Sequence, residues 1–466
     1  MGRTAGGASG VARPMSPGLI ERFLRLFTDI RPGEVQKALL LALNIFLILL
    51  AYSLIKPVRD ALLLIDTDAP QTKAYLSGAQ ALLFVFVVKG FSRLASRVPR
   101  HILITWTTLF FVSNILIFYL LHLSGTPVKT LGIVFFIWIG IFNMFIVAQF
   151  WGFANDLYTD EVGKRIFPLI AFGANLGAVF GSKIAGWIIR PFGSFNLMII
   201  CGAVLLVCIA LSRSIHNREF RRPGTEIQEA DQASLKDREA QAKPLRPGGG
   251  FKLVFRSRYL LFIALLIGIY NFINMIGEYI ISDVSTRVAL KAIESGTAAG
   301  MTMEQLQGKF FADYQFLQNV LALLIQLFLV SRIFKWVGIS GALLFLPLIA
   351  LGGYSLISFG ALLILVKWVK ALENGTDYSL MNTTKAALFL ITPREEKYKA
   401  KAAIDTFFVR GGDALAAVCV FIGTTYFALN IEKYAVINVL MVLLWIAICF
   451  LIMKEYRKLK SGGLTA

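Results

Sequence analysis

The chain has 466 residues, of which 57% are hydrophobic and only 16% are charged, and its mean hydropathy is +0.68. A soluble globule of this composition would expose a large apolar surface, so we expect the lipid bilayer to be the solvent. The net charge of +19 would suit a nucleic-acid-binding protein. The basic residues, however, cluster on alternate loops between apolar runs, as they do in membrane proteins, so no nucleic acid partner is predicted.

Apolar stretches long enough to cross a bilayer, which takes about 20 helical residues, recur from end to end of the chain. Six predicted spans in the first half begin near Gln36, Gln71, His101, Val128, Phe167 and Ser194. Six more begin near Tyr259, Tyr314, Val337, Ser358, Ala400 and Tyr434. The even number of spans and the positions of the basic loops predict that both termini are cytoplasmic.

The predicted fold class is an all-α membrane protein with 12 transmembrane helices in two six-helix bundles, a major-facilitator-like arrangement. The two halves resemble distant copies, because Tyr52 to Asp60 in the first span has a counterpart in Tyr270 to Asp283 in the seventh. The predicted parts are a cytoplasmic segment 1–35, a bundle 36–213, a cytoplasmic linker 214–258, a second bundle 259–456 and a cytoplasmic tail 457–466.

Cysteine and histidine usage predicts neither a metal site nor a cofactor. The four cysteines lie in apolar runs without a CxxC pair, and the chain has three histidines. The stretch before Pro32 has no short apolar run with a cleavage site, so we expect the first span to be its own insertion signal. The expected location is a bacterial inner membrane, with a monomeric protein in contact with the lipid bilayer.

Three glycines stand out in the fifth predicted span. Gly173, Gly177 and Gly181 fall four residues apart, so they line one face of a helix. Small residues at this spacing allow two helices to approach closely. We favour a packing role for them, and a gating role stays open.

Charged side chains inside predicted spans mark candidate sites, because a Lys or Arg at the bilayer centre costs about 2.5 to 3.5 kcal/mol on the translocon scale. Lys56 and Arg59 share a helix face at the end of the first span, and Asp60 follows directly. They either hold anionic oxygens or extend to the outer surface. Glu278 in the seventh span is a candidate proton carrier, salt-bridge partner or hydrogen-bond acceptor for a base or sugar.

The tenth and eleventh predicted spans carry further charges. Five charged residues of the tenth form one helical stripe that would face an aqueous path or the other half: Lys367, Lys370, Glu373, Asp377 and Lys385. Arg410 and Asp413 in the eleventh are either a structural pair or a coupling site. An excess of Lys and Arg in a cavity would suit an anionic solute, because Arg can grip a phosphate through two parallel hydrogen bonds.

Enzyme motifs are missing from the sequence. It contains no GxxxxGK[ST] phosphate loop, no HExxH pair and no GxSxG elbow. We therefore predict no catalytic residues, and movement of a solute driven by gradients or by exchange.

Two runs of sequence resemble the nucleotide transporters of plastids and intracellular bacteria, an ATP/ADP translocase family unrelated to the mitochondrial carriers. The first run comprises Phe150 to Asn155, Thr159 to Glu161, Lys164-Arg165, Phe167 to Leu169 and Gly173 to Asn175. The second comprises Tyr378 to Leu380, Lys385, Pro393, Glu395-Glu396, Lys399, Lys401 to Asp405 and Gly411-Gly412. The resemblance implies a major-facilitator-like fold and transport of adenine nucleotides, often ATP in exchange for ADP, or proton-linked uptake of other nucleotides.

The chain departs from the family pattern at several positions. A first-span lysine of the exchangers matches Arg59, which keeps the charge, and an acid expected in the fourth span meets the apolar stretch around Ile139. The seventh-span acid matches Glu278 with an offset of one residue. Asn382 replaces an expected Asp near the end of the tenth span, while Lys385 is kept.

The leading hypothesis is a membrane transporter of nucleotides that works by alternating access. The alternatives are a proton-coupled transporter of another organic or phosphorylated anion, and a membrane scaffold or sensor that does not transport. The predicted substrate contacts are Lys56, Arg59, Asn155, Glu278, Lys385 and Arg410. The predicted gating or coupling residues are Asp60, Asp156, Lys164, Arg165, Asp405 and Asp413.

Overall fold

A computed structural model describes residues 34–95, 98–158, 160–220, 249–360, 362–393 and 396–462, and the regular elements within these ranges are helical. The helices of the first half are α1 (Val35–Leu63), α2 (Ala69–Ala95), α3 (Arg100–Leu123), α4 (Val128–Leu157) and α5 (Asp160–Phe220). Those of the second half are α6 (Gly250–Arg256), α7 (Arg258–Glu294), α8 (Met303–Leu324), α9 (Val330–Ala342), α10 (Phe345–Ser358), α11 (Leu363–Thr376), α12 (Asn382–Leu388), α13 (Lys401–Ala403), α14 (Val409–Thr425) and α15 (Ile431–Gly462).

Several helices extend beyond the spans that were predicted from apolar stretches of the sequence. Helix α8 begins at Met303, well before Tyr314, because Thr302 and Gln305 form a reciprocal capping box at its start. Helix α5 continues to Phe220 and α6 lies inside the predicted linker 214–258, whose residues 221–248 fall outside the described ranges. Helix α15 likewise includes the first residues of the predicted tail, and residues 1–33 of the predicted segment 1–35 are also outside.

Two long helical runs are each broken by a glycine. Gly193 within α5 has a φ of 74° and Gly338 within α9 has a φ of 70°. A side chain with a Cβ rarely adopts this left-handed region, whereas glycine enters it readily. The chain therefore turns at these points, next to the predicted starts of spans at Ser194 and Val337.

Apolar side chains form two large buried clusters and also cover much of the surface. One cluster lies mainly between Ala38 and Ile215 and the other mainly between Val254 and Ile452, so each half has most of an interior of its own. Large apolar side chains such as Phe86, which is 72% exposed, point outward. Such a surface suits hydrocarbon, and eight of the described helical stretches are long and apolar enough to cross a membrane.

The three glycines of the predicted packing face lie directly against helix α1. A Cβ atom at Gly173, Gly177 or Gly181 would collide with the backbone carbonyl oxygens of Ala42, Phe46 and Leu50, respectively. These carbonyl groups are also four residues apart, so each glycine lies opposite one carbonyl group along the contact between α1 and α5. The packing interpretation of this face is confirmed.

We expect Gly177→Ala to destabilise the protein, because the new methyl group would meet the rigid backbone of α1 at Phe46. Overpacking of this kind costs about 1 to 3 kcal/mol. Thermal unfolding in detergent should show a midpoint lowered by several degrees. Gly352→Ala is the matched control, since a Cβ there has no atom within 4 Å and the midpoint should stay the same or rise, because alanine favours a helix over glycine.

Candidate functional site

A polar cavity of about 430 Å³ opens within the second half of the chain. Its walls come from α7, α11, α12, α13 and α14. It lies at the end of the molecule that carries the linker, because Gly250 at the start of α6 packs on the carbonyl of Lys399, next to the lining residue Lys401. We call this the linker end. The volume falls within the range of about 300 to 1,000 Å³ that is typical of small-molecule sites.

The cavity combines amide, aromatic and charged side chains. Four asparagines line it: Asn271, Asn274, Asn374 and Asn382. Tyr378 is 52% exposed there, and Lys385 and Lys401 face Asp377 and Asp405 in the same lining. The charges of these lysines and aspartates balance. The expected excess of cations is therefore wrong for this wall of the cavity.

Two π-helical turns shape the cavity wall. They span Asp377–Met381, between α11 and α12, and Ile404–Phe408, before α14. A π turn adds a residue to the helical repeat and changes the direction in which the following side chains point. The turns carry Asp377, Tyr378 and Asp405, all of which line the cavity.

The predicted charge stripe divides into separate environments on the two sides of the first of these turns and within α11. Asp377 and Lys385 form an ion pair of 3.3 Å in the cavity. Lys370 and Glu373 are instead buried inside the second half, where they pair at 3.0 Å with side chains 0% and 1% exposed. Lys367 lies against the ring of Phe310, 5.4 Å from its centroid. The interpretation of one continuous stripe is wrong.

The buried Lys370–Glu373 pair is held by a shell of hydrogen bonds. Lys370 donates to Asn274 over 3.0 Å, and the Tyr354 hydroxyl donates to Glu373 over 2.8 Å. A Cβ at Gly277 would collide with the Tyr354 hydroxyl and approach the Lys370 ammonium, so glycine is needed here. The pair therefore supports the wall that presents Asn274 to the cavity.

The charged end of α1 faces the second half of the chain. The Arg59 Nη2 group donates to both carboxylate oxygens of Asp60, at 2.8 and 3.1 Å, whereas the buried Arg59 Nε has no partner. Lys56 interacts electrostatically with Glu278 and Tyr378. Within the described part of the chain, no hydrogen bond or ion pair holds its ammonium group. Two cationic donors on α1 are thus available for an anion.

Lys73 joins the two halves of the chain, and sequence reasoning missed it. Its ammonium lies 2.9 Å from Asp60 Oδ1 on α1, donates to Ser282 Oγ on α7 over 2.9 Å, and lies 3.7 Å from Glu278 Oε2. Its side chain is only 6% exposed. Asp60 lies in the last turn of α1, and Lys73 lies near the start of α2. A lysine near the start of an apolar helix was the available signal.

Further contacts between the halves lie near Lys73, at the end of the molecule where α1 stops and α2 begins. We call this the far end. Tyr75 and Thr424 join their hydroxyl groups over 3.2 Å. The Ser194 amide donates to Glu304, and Gln305 donates to the Arg190 carbonyl, each over 3.2 Å. The two halves are thus connected at the far end, opposite the cavity.

The remaining predicted residues lie at or beyond the edge of this region. Arg410 pairs with Asp413 over 3.2 Å and covers the Phe84 ring of the first half, 4.5 Å from its centroid. Asn155 and Asp156 are exposed at the end of α4, away from the cavity lining. Arg165 pairs with Glu34 over 3.0 Å within the first half. The side chain of Lys164 is outside the described part of the structure.

A larger crevice of about 790 Å³ is not this site. Its lining, between Thr105 and Arg218, comes from α3 and α5 alone. It includes exposed apolar residues such as Leu109, and it opens on the outer surface. The residues that line this crevice do not include the charged residues around Lys56.

A family model described as TLC ATP/ADP transporter matches residues 132–456. The chain belongs to the TLC ATP/ADP transporter family. The family resemblance predicted from the two sequence runs is thereby confirmed, as is the prediction of a nucleotide-transporter family member and not an enzyme. Family membership and the apolar helices make the chain an integral membrane protein.

Curated relatives and solved structures agree with this membership. The chain is 23% identical to ADP,ATP carrier protein 2 of Chlamydia pneumoniae, over 94% of this chain and 92% of the relative. It is 22% identical to ADP,ATP carrier protein 1 of Rickettsia bellii, over 96% and 98%. A bacterial homolog of the human lysosomal transporter Spinster, solved in an inward-facing and unoccupied conformation, matches with a TM-score of 0.58 and 12% identity over 92% and 99%. The fold is that of a major-facilitator-like transporter.

Removing one member of the buried Lys370–Glu373 pair should destabilise this transporter. Glu373→Gln leaves the Lys370 charge without a carboxylate in an environment that is 0% exposed, a change that costs about 3 to 5 kcal/mol. Lys370→Met combined with Glu373→Gln should recover most of the unfolding temperature in detergent. Lys458→Met removes an exposed pair with Glu455 and serves as the control that leaves the temperature unchanged. Equal midpoints for wild type and Glu373→Gln would contradict the structural role.

Proposed function

We propose that the protein exchanges adenine nucleotides, ATP against ADP, across a bacterial inner membrane by alternating access, acting as a monomer. The observation that carries the proposal is the free cationic face of α1, with Lys56 and the Arg59 Nε, beside a polar cavity in a chain of this family. The names of the Chlamydia and Rickettsia relatives support ADP and ATP as the substrates.

We propose twelve spans in two six-helix bundles. The break at Gly193 supports this number, because it divides the 61-residue run of α5 into two parts that are each long enough for one crossing. The break at Gly338 separates the run that begins at Met303 from α10. The two separate buried clusters support the division into bundles. With the linker end in the cytoplasm, both termini are cytoplasmic and the cavity opens inward.

In the proposed complex, the nucleotide lies between the two halves. Lys56 and Arg59 of the first half bind phosphate oxygens. Lys385 of the second half also binds them, after its ammonium group leaves Asp377 and pairs with phosphate. The exposed Tyr378 ring offers a stacking surface for the base, and the amide groups of the cavity can pair with its edge. Glu278 would contact the sugar or position Lys56.

The other predicted residues take gating or coupling roles in this proposal. Asp405 competes with phosphate for the cavity lysines, and Arg410 shields the site at the contact with Phe84. Arg165 and Asp156 lie at the linker-end surface of the first half, and Lys164 directly precedes Arg165 in the sequence. Asn155 also lies at this surface, so we propose contact with an entering nucleotide there and not in the final complex.

Uptake of labelled ATP into proteoliposomes tests the function directly. Vesicles preloaded with ADP should accumulate ATP, whereas empty vesicles should not. An imposed proton gradient should have no effect on exchange. Uptake into empty vesicles that requires the proton gradient would support the alternative of a proton-coupled anion transporter, and no uptake by folded protein would refute nucleotide transport.

Lys56→Gln and Lys385→Ala should each weaken nucleotide binding, because each removes a charge-assisted hydrogen bond to phosphate. Such a bond contributes about 1.5 to 3 kcal/mol, so the nucleotide concentration for half-maximal exchange should rise roughly tenfold or more. The control is Arg213→Gln, which removes an exposed cation from the crevice between α3 and α5 and should leave exchange unchanged. Unaltered binding and transport in both cavity variants would eliminate this assignment.

A further inference from the structure

One buried ammonium group ties together carboxylates from both halves of the chain. Lys73 approaches Asp60 of the first half and Glu278 of the second, and it donates to Ser282 of the second. Its ammonium also lies 4.8 Å from the centroid of the Phe311 ring on α8. An ammonium has three hydrogens to donate, and three oxygen partners surround this one. Separation of the halves at the far end must break the contacts with Glu278 and Ser282.

Both carboxylates in this cluster are shared. Asp60 accepts from Arg59 as well as from Lys73, so the negative charge of Asp60 is divided between the two cations. Glu278 keeps other donors on its second oxygen, since Tyr314 and Asn374 donate to Oε1 over 3.3 and 3.1 Å. Lys73 therefore depends on Glu278 and Ser282 for as long as Arg59 occupies Asp60.

An anion bound at Arg59 changes this balance. A phosphate that takes the Arg59 guanidinium frees Asp60 to pair fully with Lys73, inside the first half. Glu278 retains the hydrogen bonds from its own half. In the empty protein, by contrast, the first separation at the far end takes Lys73 away from Glu278 and Ser282 before water can replace them, and an incompletely paired buried charge is costly.

We propose that Lys73 is a latch that holds the far end closed in the empty transporter and releases it when an anion occupies Arg59. This inference rests on the proposed exchange function and deepens it. The latch slows opening of the far end in the empty transporter, so that a transporter that has released a nucleotide at the linker end opens at the far end only with another nucleotide bound. Lys73 acts through Arg59 and Asp60 and is a positioning residue that does not contact the nucleotide.

The first test measures the distance across the far end. Spin labels are placed at Thr67 and Lys291, which are exposed on opposite halves, after replacement of the four native cysteines. Without nucleotide, wild type should show a short distance, and Lys73→Met should add a longer population. Lys129→Met is the matched control, because it removes an exposed far-end cation whose partner Asp66 belongs to the same half. A short distance in Lys73→Met alone, as in the control, would overturn the latch.

The second test measures release of labelled ADP into medium without nucleotide from loaded proteoliposomes in which the far end faces the lumen, so that the empty transporter must open the far end to bind the next ADP. Release should be slow for wild type and for Lys129→Met, and about tenfold faster for Lys73→Met, which loses charge-assisted bonds between the halves. Ser282→Ala, a milder change, should give an intermediate rate. Retained exchange against external ADP shows that the variants are folded. Release that stays dependent on external nucleotide in Lys73→Met would refute the latch.

The two tests separate the latch from the proposed function. If wild type exchanges no nucleotide at all, the proposed function fails, while the label distances in the empty protein still decide whether Lys73 closes the far end. If exchange is present but the distances of wild type and Lys73→Met coincide, the function stands and the latch fails.

Discussion

The hydrocarbon interior of a membrane contains no water to solvate a charge, and this constraint organises the polar side chains of the molecule. Lys370 is held by Glu373, Arg410 by Asp413, and Lys73 by carboxylates from two different halves. Lys56 differs from them, because no such pair holds its ammonium in the described part of the chain. The structure thus distinguishes cations used for internal support from a cation available to a solute.

Hydropathy predicted most of the fold because the energy of burying helices in lipid depends on apolar composition over about 20 residues. It could not define helix ends that project beyond the lipid. The polar first turns of α8, from Met303, look like a loop by composition, although the capping box at Thr302 marks a helix start. The breaks at Gly193 and Gly338 agree better with the sequence, because spans were predicted to start at the neighbouring residues Ser194 and Val337. Glycine at these positions allows the chain to turn.

The site was harder to predict, for two physical reasons. A regular helical repeat places Lys370, Glu373 and Lys385 on one stripe, but the π turn at Asp377–Met381 changes the register and separates them. The partner of Lys73 at Ser282 is 209 residues away along the chain, so no local pattern reveals that contact. Lys56 and Arg59 could be selected from sequence because charge within an apolar span is itself the signal.

The two ends of the molecule differ in how the halves contact each other. Contacts at Lys73, Tyr75 and Gln305 join the halves at the far end, whereas the cavity with Lys385 opens toward the linker end. A neutral contact such as Tyr75 with Thr424 is insensitive to the charge of a solute. The Lys73 cluster differs, because its carboxylate Asp60 is also bound by Arg59. In the proposed mechanism, an anion at Arg59 therefore changes closure at the far end through Asp60, a direct contact that requires no longer chain of coupled residues.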